Sequence, residues 1–149
     1  MIRFPSNCGY IRGMTTLAHL LDDFEFLTDW EDRYRHLIEL GHTLPGLAED
    51  EHTEANRVTG CMSQVWLVAD QQPDGRYIFR ADSDGIIAKG LIAIVLLAYS
   101  GKTSAEIAAV DIDTIFKQLG LDQHLVVNRR NGFFAMVARI KALAQVPAH

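Results

Sequence analysis

Cysteine is scarce in this chain, and the two that occur, Cys8 and Cys61, lie far apart and form no C-x-x-C pair. Disulfide-rich secreted scaffolds and cysteine-rich zinc modules need several cysteines at short, regular spacings. The sequence excludes both classes. A thiol that matters in this protein must therefore act singly.

Positive charge is in deficit, because 14 Lys and Arg face 19 Asp and Glu and the formal net charge is −5. A domain that binds duplex nucleic acid needs a cationic surface to pair with phosphates. Nucleic acid is therefore not expected as a partner.

Long hydrophobic runs are missing as well. The most apolar stretch, 91–99, is far shorter than the roughly 20 residues that a helix needs to cross a bilayer core. Residues 1–13 contain no continuous apolar segment of the kind found in a secretory signal. We expect a cytoplasmic protein with no membrane partner.

The motifs of common nucleotide-binding proteins, hydrolases and metalloproteins are absent from the sequence. It contains no P-loop, dinucleotide fingerprint, nucleophile elbow or HExxH helix, and its six histidines are not paired at ligand spacing. Residues 82–85 resemble the opening of a calcium loop, but the later acidic ligands are missing. No metal and no resident cofactor are expected.

What the chain does have is enough apolar material for one domain, with 149 residues of which 48% are hydrophobic. Apolar residues recur at helical spacing in several segments. They predict helices from Thr16, over about 29–40, over 86–99, after Thr103, over 111–119 and from Asn128. The segment 86–99 is apolar almost all round, which indicates a helix buried in the centre of the domain.

The ends of these helices are predicted from capping patterns. The expected N-terminal caps are Thr16, Thr28 with Glu31, one of residues 82–84, Thr103 with Glu106, and Asn128. Gly41 and Gly120 are expected just beyond the C-terminal ends of two helices.

A β-hairpin is predicted between the helical segments. Residues 64–69 and 77–81 are rich in β-branched and aromatic side chains, and the turn formers at 73–75 join them. A third short strand is expected around 57–58. Helices, a small antiparallel sheet and helices again indicate an α+β fold.

Cys61 lies in the tight connection between the short strand at 57–58 and the strand that starts near Gln64. Gly60 precedes it and permits unusual backbone angles, so the loop could present the thiol at its tip. Spacing alone gives equal weight to the alternative that Cys61 is a small buried core residue.

The residues around Cys61 then resemble a known family. The segment 56–67, Asn-Arg-Val-Thr-Gly-Cys-Met-Ser-Gln-Val-Trp-Leu, is similar to the signature of the SufE/CsdE sulfur-acceptor proteins. The similarity continues through Leu44-Pro45, Glu54, Ala81-Asp82-Ser83-Asp84, Lys89-Gly90-Leu91-Ile92-Ala93, His124-Leu125, Arg129 and Asn131-Gly132. It covers about residues 17–142.

The resemblance implies a function for a single thiol. Cys61 would take persulfide sulfur from a SufS/CsdA-type cysteine desulfurase, stimulate that enzyme, and pass the sulfur to an iron–sulfur scaffold or another acceptor. Arg57, Gly60, Gln64 and Arg129 would support the site or the docking of the partner. Pyridoxal phosphate would belong to the desulfurase, and this chain would hold no cofactor. It is not expected to turn over alone.

The resemblance also implies a fold, a two-layer α+β domain shared with IscU-type scaffolds, with about three strands packed against several helices. Because one candidate thiolate cannot hold a cluster that takes four ligands, carrier is the expected role rather than scaffold. The alternative is a non-covalent adaptor that activates the desulfurase by surface contact alone.

The extent of the domain is expected to be 14–149, with residues 1–13 an unstructured part or an extension before Met14, a possible native start. Cys8 lies in that segment and receives no role. The protein could be a monomer or a homodimer, and the sequence leaves this open, together with the identity of the donor enzyme.

Overall fold

The computed structural model describes residues 16–60 and 63–146, so that Cys61, Met62 and both chain ends lie outside the described residues. Within those ranges the chain forms seven α-helices and two strands. They are α1 (Leu17–Phe26), α2 (Trp30–His42), β1 (Val65–Gln71), β2 (Tyr77–Ser83), α3 (Ile86–Tyr99), α4 (Ser104–Ala108), α5 (Ile112–Gln118), α6 (Leu121–His124) and α7 (Val127–Leu143). Two short 3-10 helices, Glu49–Glu51 and Glu54–Asn56, lie between α2 and β1. The predicted α+β class is confirmed.

The predicted hairpin is present, and both strands run further than expected. β1 and β2 pair antiparallel from Val65 opposite Ser83 to Gln71 opposite Tyr77. The turn between them closes with a hydrogen bond from the Gln72 N–H to the Arg76 carbonyl, and Gly75 takes the left-handed φ of 90° that the turn requires.

The predicted third strand is wrong for the described part of the chain, where it is reduced to one bridge between Arg57 and Trp66. The Arg57 N–H donates back to the Glu54 carbonyl, and the Arg57 carbonyl accepts from the Arg139 side chain. The pairing with β1 does not extend beyond this bridge in the described residues.

The core helix is α3, as its composition predicted. Every residue from Gly90 to Tyr99 is buried, and the helix packs against α2, β2 and α7. A helix covered on all sides needs no polar face, which explains why the segment is apolar almost all round.

Two glycines let α2 and α3 approach each other closely. A Cβ atom at Gly41 would lie 2.8 Å from the Gly90 nitrogen, and one at Gly90 would overlap the Leu37 carbonyl. The prediction that Gly41 follows the end of α2 is therefore wrong, since this helix continues to His42 and Gly41 serves the crossing.

Three predicted helix starts are confirmed. Thr16 accepts a hydrogen bond from the His19 N–H at 3.2 Å, and Thr103 and Glu106 form the reciprocal capping box at 3.2 and 2.9 Å. Asp111 caps α5 through the Thr114 N–H, and Gly120 follows that helix with a φ of 75°.

Three predicted caps are wrong. Asp29 rather than Thr28 caps α2, by accepting from the Glu31 N–H at 3.0 Å. The last helix begins after Val126, which puts Asn128 inside its first turn. The residue before α3 is Gly85, and no side chain caps the helix; the Ser83 hydroxyl accepts only from the N–H of Gly85 itself, at 3.1 Å, and residues 82–84 have other partners, described below.

No helix in the described residues is long and apolar enough to span a membrane. In the same ranges, no three His, Asp or Glu side chains gather where they could hold a metal ion.

Candidate functional site

The cysteine loop, defined as residues 59–64, is closed at its neck by core residues. The Val58 N–H donates to the Val65 carbonyl at 2.8 Å, and both side chains are almost fully buried. The chain reaches the loop through an ascending limb, residues 55–60, and returns through a descending limb, residues 63–64, and the two leave the domain core side by side. Cys61 and Met62 lie between them, outside the described residues.

The ascending limb runs along α7. Gly60 has a φ of 90°, in the left-handed region, and a Cβ atom there would lie 3.3 Å from the Cβ of Ala135. The glycine expected to permit unusual backbone angles thus also permits a close approach to a helix. Further back on the same limb, Arg139 donates to the carbonyls of Arg57 and Ala55 at 2.9 and 2.6 Å.

The descending limb is bound to the end of β2. The Gln64 N–H donates to the Asp84 carboxylate at 3.0 Å, and the Gln64 carbonyl accepts from the Ser83 hydroxyl at 2.7 Å. The polar side chains predicted as helix caps therefore hold the base of the loop. Gln64 acts here through its backbone.

The first residue of the descending limb, Ser63, lies against the start of α3. A Cβ atom at Gly85 would overlap the Ser63 hydroxyl, so only glycine fits there without a shift. The chain thus passes from Gly60 beside α7 to Ser63 beside α3.

A cavity of about 480 Å³ opens between the first turns of α3 and α7. Its floor is apolar, formed by Val65, Leu91, Phe133 and Met136, and its rim includes Ser63, Gly85, Asn128 and Arg129. The cysteine loop and the cavity therefore share Ser63 at their boundary.

Groups that carry positive charge or partial positive charge lie at this cavity. Both α3 and α7 begin at its rim, and neither has a side chain that caps its N-terminus. Arg129 is exposed and makes no hydrogen bond or ion pair with the part of the chain that the structure describes. Helix N-termini and an unneutralised guanidinium favour an anion such as a thiolate.

The rim of the cavity also carries exposed aliphatic side chains. Ile86 and Val126 are 61% and 60% exposed, and Val127 beside them is 62% exposed. Large exposed apolar side chains that cluster at one place mark contact surfaces. The arrangement provides an apolar rim with a cationic group beside a loop that carries a thiol.

Arg57 is placed differently from Arg129. Its guanidinium lies 3.4 Å from the Glu54 carboxylate, while its carbonyl is held by Arg139, and its side chain is absent from the cavity lining. Of the predicted supporting residues, the structure brings Arg129 to the cavity and assigns Gly60 and Gln64 to the loop limbs. Arg57 holds its place through its backbone.

A polar cluster that the sequence did not reveal anchors the 3-10 helices to the sheet. His52 Nε2 lies 2.9 Å from Asp82 Oδ2. The ring centroids of His52 and Trp66 are 4.6 Å apart in an edge-to-face arrangement. Lys89 lies 3.9 Å from the same carboxyl group. These residues are far apart in the sequence, so no motif could have signalled their contact.

Hydrogen bonds and burial in this cluster shift the pKa values of His52 and Asp82. The hydrogen bond with Asp82 raises the pKa of His52. Burial alone would raise the pKa of Asp82, but the hydrogen bonds from His52 and the Ser83 N–H outweigh it and leave the pKa of Asp82 lowered.

A second anchor lies beside the first. Arg80 donates to both carboxylate oxygens of Glu51, at 2.9 and 2.7 Å, and to Asp70 at 2.9 Å. The hydrogen bond with Arg80 lowers the pKa of Glu51 to about 2. The segment that leads into the cysteine loop is thus tied to β2 at two points.

Comparisons with known proteins agree on a family. The sequence profile of SufE, described as an Fe-S metabolism associated domain, matches residues 18–144. An uncharacterized SufE-like protein of Rhizobium etli is 51% identical over 138 residues, which cover 91% of this chain and 93% of that protein. A second SufE-like protein, from Rhizobium meliloti, is 47% identical over 135 residues, covering 89% and 96%.

Among solved structures, the solution structure of a hypothetical protein from Thermus thermophilus has the same fold. Its TM-score is 0.69 at 19% identity, with 87% of this chain and 93% of that chain covered. The profile match spans nearly all the described elements, and the relatives match over almost their full length. The chain belongs to the SufE family of proteins associated with iron–sulfur metabolism.

Proposed function

We propose that this protein is a sulfur carrier, in which Cys61 accepts sulfane sulfur from a cysteine desulfurase and delivers it to iron–sulfur cluster assembly. The observation that carries the proposal is the position of the cysteine loop, whose Ser63 lines a cavity with an apolar rim, two uncapped helix N-termini and Arg129. Family membership supports the same conclusion.

The chemistry needs one thiolate and no cofactor on this chain. The Cys61 thiolate attacks the outer sulfur of the donor's persulfide, and a new S–S bond forms as the donor's S–S bond breaks. The donor cysteine leaves as a thiolate, and Cys61 becomes a persulfide. The step is neither an oxidation nor a reduction overall, because one S–S bond is exchanged for another between two cysteine sulfurs.

Arg129 and the helix N-termini would assist this exchange by favouring anionic sulfur. A thiol with an ordinary pKa of about 8.5 is only a small fraction thiolate at neutral pH. Positive potential at the cavity would increase that fraction. The exposed aliphatic rim would contact a SufS/CsdA-type partner, which itself would hold the pyridoxal phosphate.

Intact-mass analysis after incubation with a pyridoxal phosphate desulfurase and cysteine tests the proposal. We expect the wild-type chain to gain the mass of sulfur, the Cys61→Ser variant to gain none, and the matched Cys8→Ser variant to load as the wild type does. Loading that survives in Cys61→Ser and disappears in Cys8→Ser would overturn the assignment.

The same variants separate a carrier from a non-covalent adaptor. We expect Cys61→Ser to lose its stimulation of desulfurase turnover, because the donor persulfide then has no acceptor. Full stimulation by Cys61→Ser would instead establish the adaptor.

A further inference from the structure

We propose that Arg139 is a positioning residue for Cys61, an inference that rests on the proposed sulfur transfer. Its guanidinium donates through Nη1 to the Arg57 carbonyl and through Nη2 to the Ala55 carbonyl. These residues lie 82 and 84 positions away in the sequence, in the segment just before Val58 at the neck of the cysteine loop. Arg139 itself takes no part in the chemistry.

The geometry of α7 explains why this one side chain controls the loop. Ala135 lies beside Gly60, and Arg139 follows one helical turn later, so both lie on the same face of α7. The face of one rigid helix therefore meets the ascending limb at two successive points.

The two limbs are held by different means. The descending limb is bound through Gln64 to Ser83 and Asp84 at the end of β2. On the ascending limb, the last hydrogen bond to β1 is the one from the Val58 N–H to the Val65 carbonyl. The residues before Val58 are held to α7 by the two hydrogen bonds of Arg139, here called the Arg139 fork. Loss of the fork would remove the hydrogen bonds that Arg139 of α7 makes to the ascending limb, while the Val58–Val65 hydrogen bond and the descending limb stay in place.

A planar guanidinium can reach two carbonyls at once, whereas an ammonium group on a lysine is a single point donor. Replacement of Arg139 by Lys would keep the charge and one hydrogen bond. Replacement by Gln would remove the charge and the fork. The two substitutions therefore weaken the same interaction to different extents, Arg139→Lys in part and Arg139→Gln more fully.

The test measures the rate of sulfur loading onto this chain as its concentration is varied against a fixed amount of desulfurase. We expect Arg139→Gln to lower the maximal rate about tenfold, which corresponds to one charge-assisted hydrogen bond. The half-saturating concentration should change less than about twofold, because the aliphatic rim that would meet the partner is intact. Arg139→Lys should fall between Arg139→Gln and the wild type.

Lys141→Gln is the matched control, since it removes one positive charge from the same helix. Its side chain makes no hydrogen bond or ion pair within the described residues, and we expect wild-type rates. Thermal melts of all variants verify that each is folded. If Arg139→Gln does not fold, Arg139→Lys decides by the same criterion.

The outcomes separate the two proposals. A wild-type chain that gains no sulfur refutes the carrier function itself. Loading of the wild type with an unchanged maximal rate in the folded Arg139 variants overturns the positioning role alone. An equal loss in Lys141→Gln also overturns it, because the effect would then come from the charge of α7 and not from the fork.

Discussion

At the residue scale, the approach to the cysteine loop depends on a histidine and an aspartate from different elements. His52 follows the first 3-10 helix, Asp82 lies in β2, and their side chains are 26% and 19% exposed. Their hydrogen bond is partly shielded from water and packed against Trp66. Protonation of His52 strengthens it by adding a charge opposite the carboxylate.

The stability that this pair contributes should depend on pH. The pKa of His52 is raised above its ordinary 6.5, so its contribution is complete below pH 6.5 and is lost as the pH rises through the folded-state pKa. The pKa of Asp82 is lowered below 3.8, so its contribution is present above that pH and is lost as the pH falls through the folded-state value. The pair should stabilise most between those limits.

Denaturant melts of the wild type and His52→Gln, at about pH 5.5 and about pH 8.5, measure this effect. We expect the wild type to exceed His52→Gln in free energy of unfolding at the lower pH, with a smaller difference at the higher pH. The control is His19→Gln, because His19 is exposed on α1. A difference that grows as the pH rises would contradict the assignment.

At the scale of elements, α2 and α3 pack closely where they cross. Gly41 and Gly90 each leave out a side chain that would overlap the backbone of the other helix or of its neighbouring turn. The same helix α3 packs against β2, and its N-terminus lies against Ser63.

Gly90→Ala tests the crossing with a sign that helix propensity alone would not give. Alanine in a helix interior normally stabilises by about 1 kcal/mol relative to glycine. Here we expect a net loss of about 2 kcal/mol, because the new methyl group overlaps the Leu37 carbonyl, a backbone atom that cannot rotate away. Denaturant melts measure the change. Gly41→Ala should destabilise as well, and stabilisation by either substitution would show that the helices can separate freely.

At the scale of the whole molecule, the domain begins no later than α1. Leu20 and Phe24 are buried in the core, and the Phe24 carbonyl accepts from Arg33 of α2 at 2.8 Å. The family match begins at residue 18, within the same helix. Residues 1–13 lie outside the described residues, and their role as an extension stays a prediction.

Two truncations test this boundary. We expect deletion of residues 1–13 to leave cooperative unfolding and sulfur loading unchanged, because these residues lack apolar periodicity. Deletion of residues 1–26 removes Leu20 and Phe24 from the core, and each buried side chain of this size contributes about 2–5 kcal/mol. That chain should lose its cooperative transition in a thermal melt. Equal melts of the two truncations, or unfolding of the shorter deletion, would contradict the boundary.

The sequence by itself determined the class of fold, the core helix and the family. Periodicity located α3 and the hairpin because burial of apolar side chains leaves a regular pattern along the chain. The run around Cys61 indicated the SufE family, which the profile match confirmed. The helix caps at Thr16 and Thr103 could also be predicted, because each cap and its partner lie three residues apart in the sequence.

The tertiary structure decided what depends on distant partners. Asp82, Ser83 and Asp84 have the composition of a helix cap, yet they bind His52 and Gln64 because the sheet brings those residues within reach. Gly41 has the position of a helix stop, yet α2 continues through it to His42. Its missing side chain allows the close approach of α3. Arg139 carries no motif, and its contact with the loop exists only because α7 packs beside it. Sequence spacing records local hydrogen bonds and one-sided burial, whereas these contacts are set by the packing of whole elements.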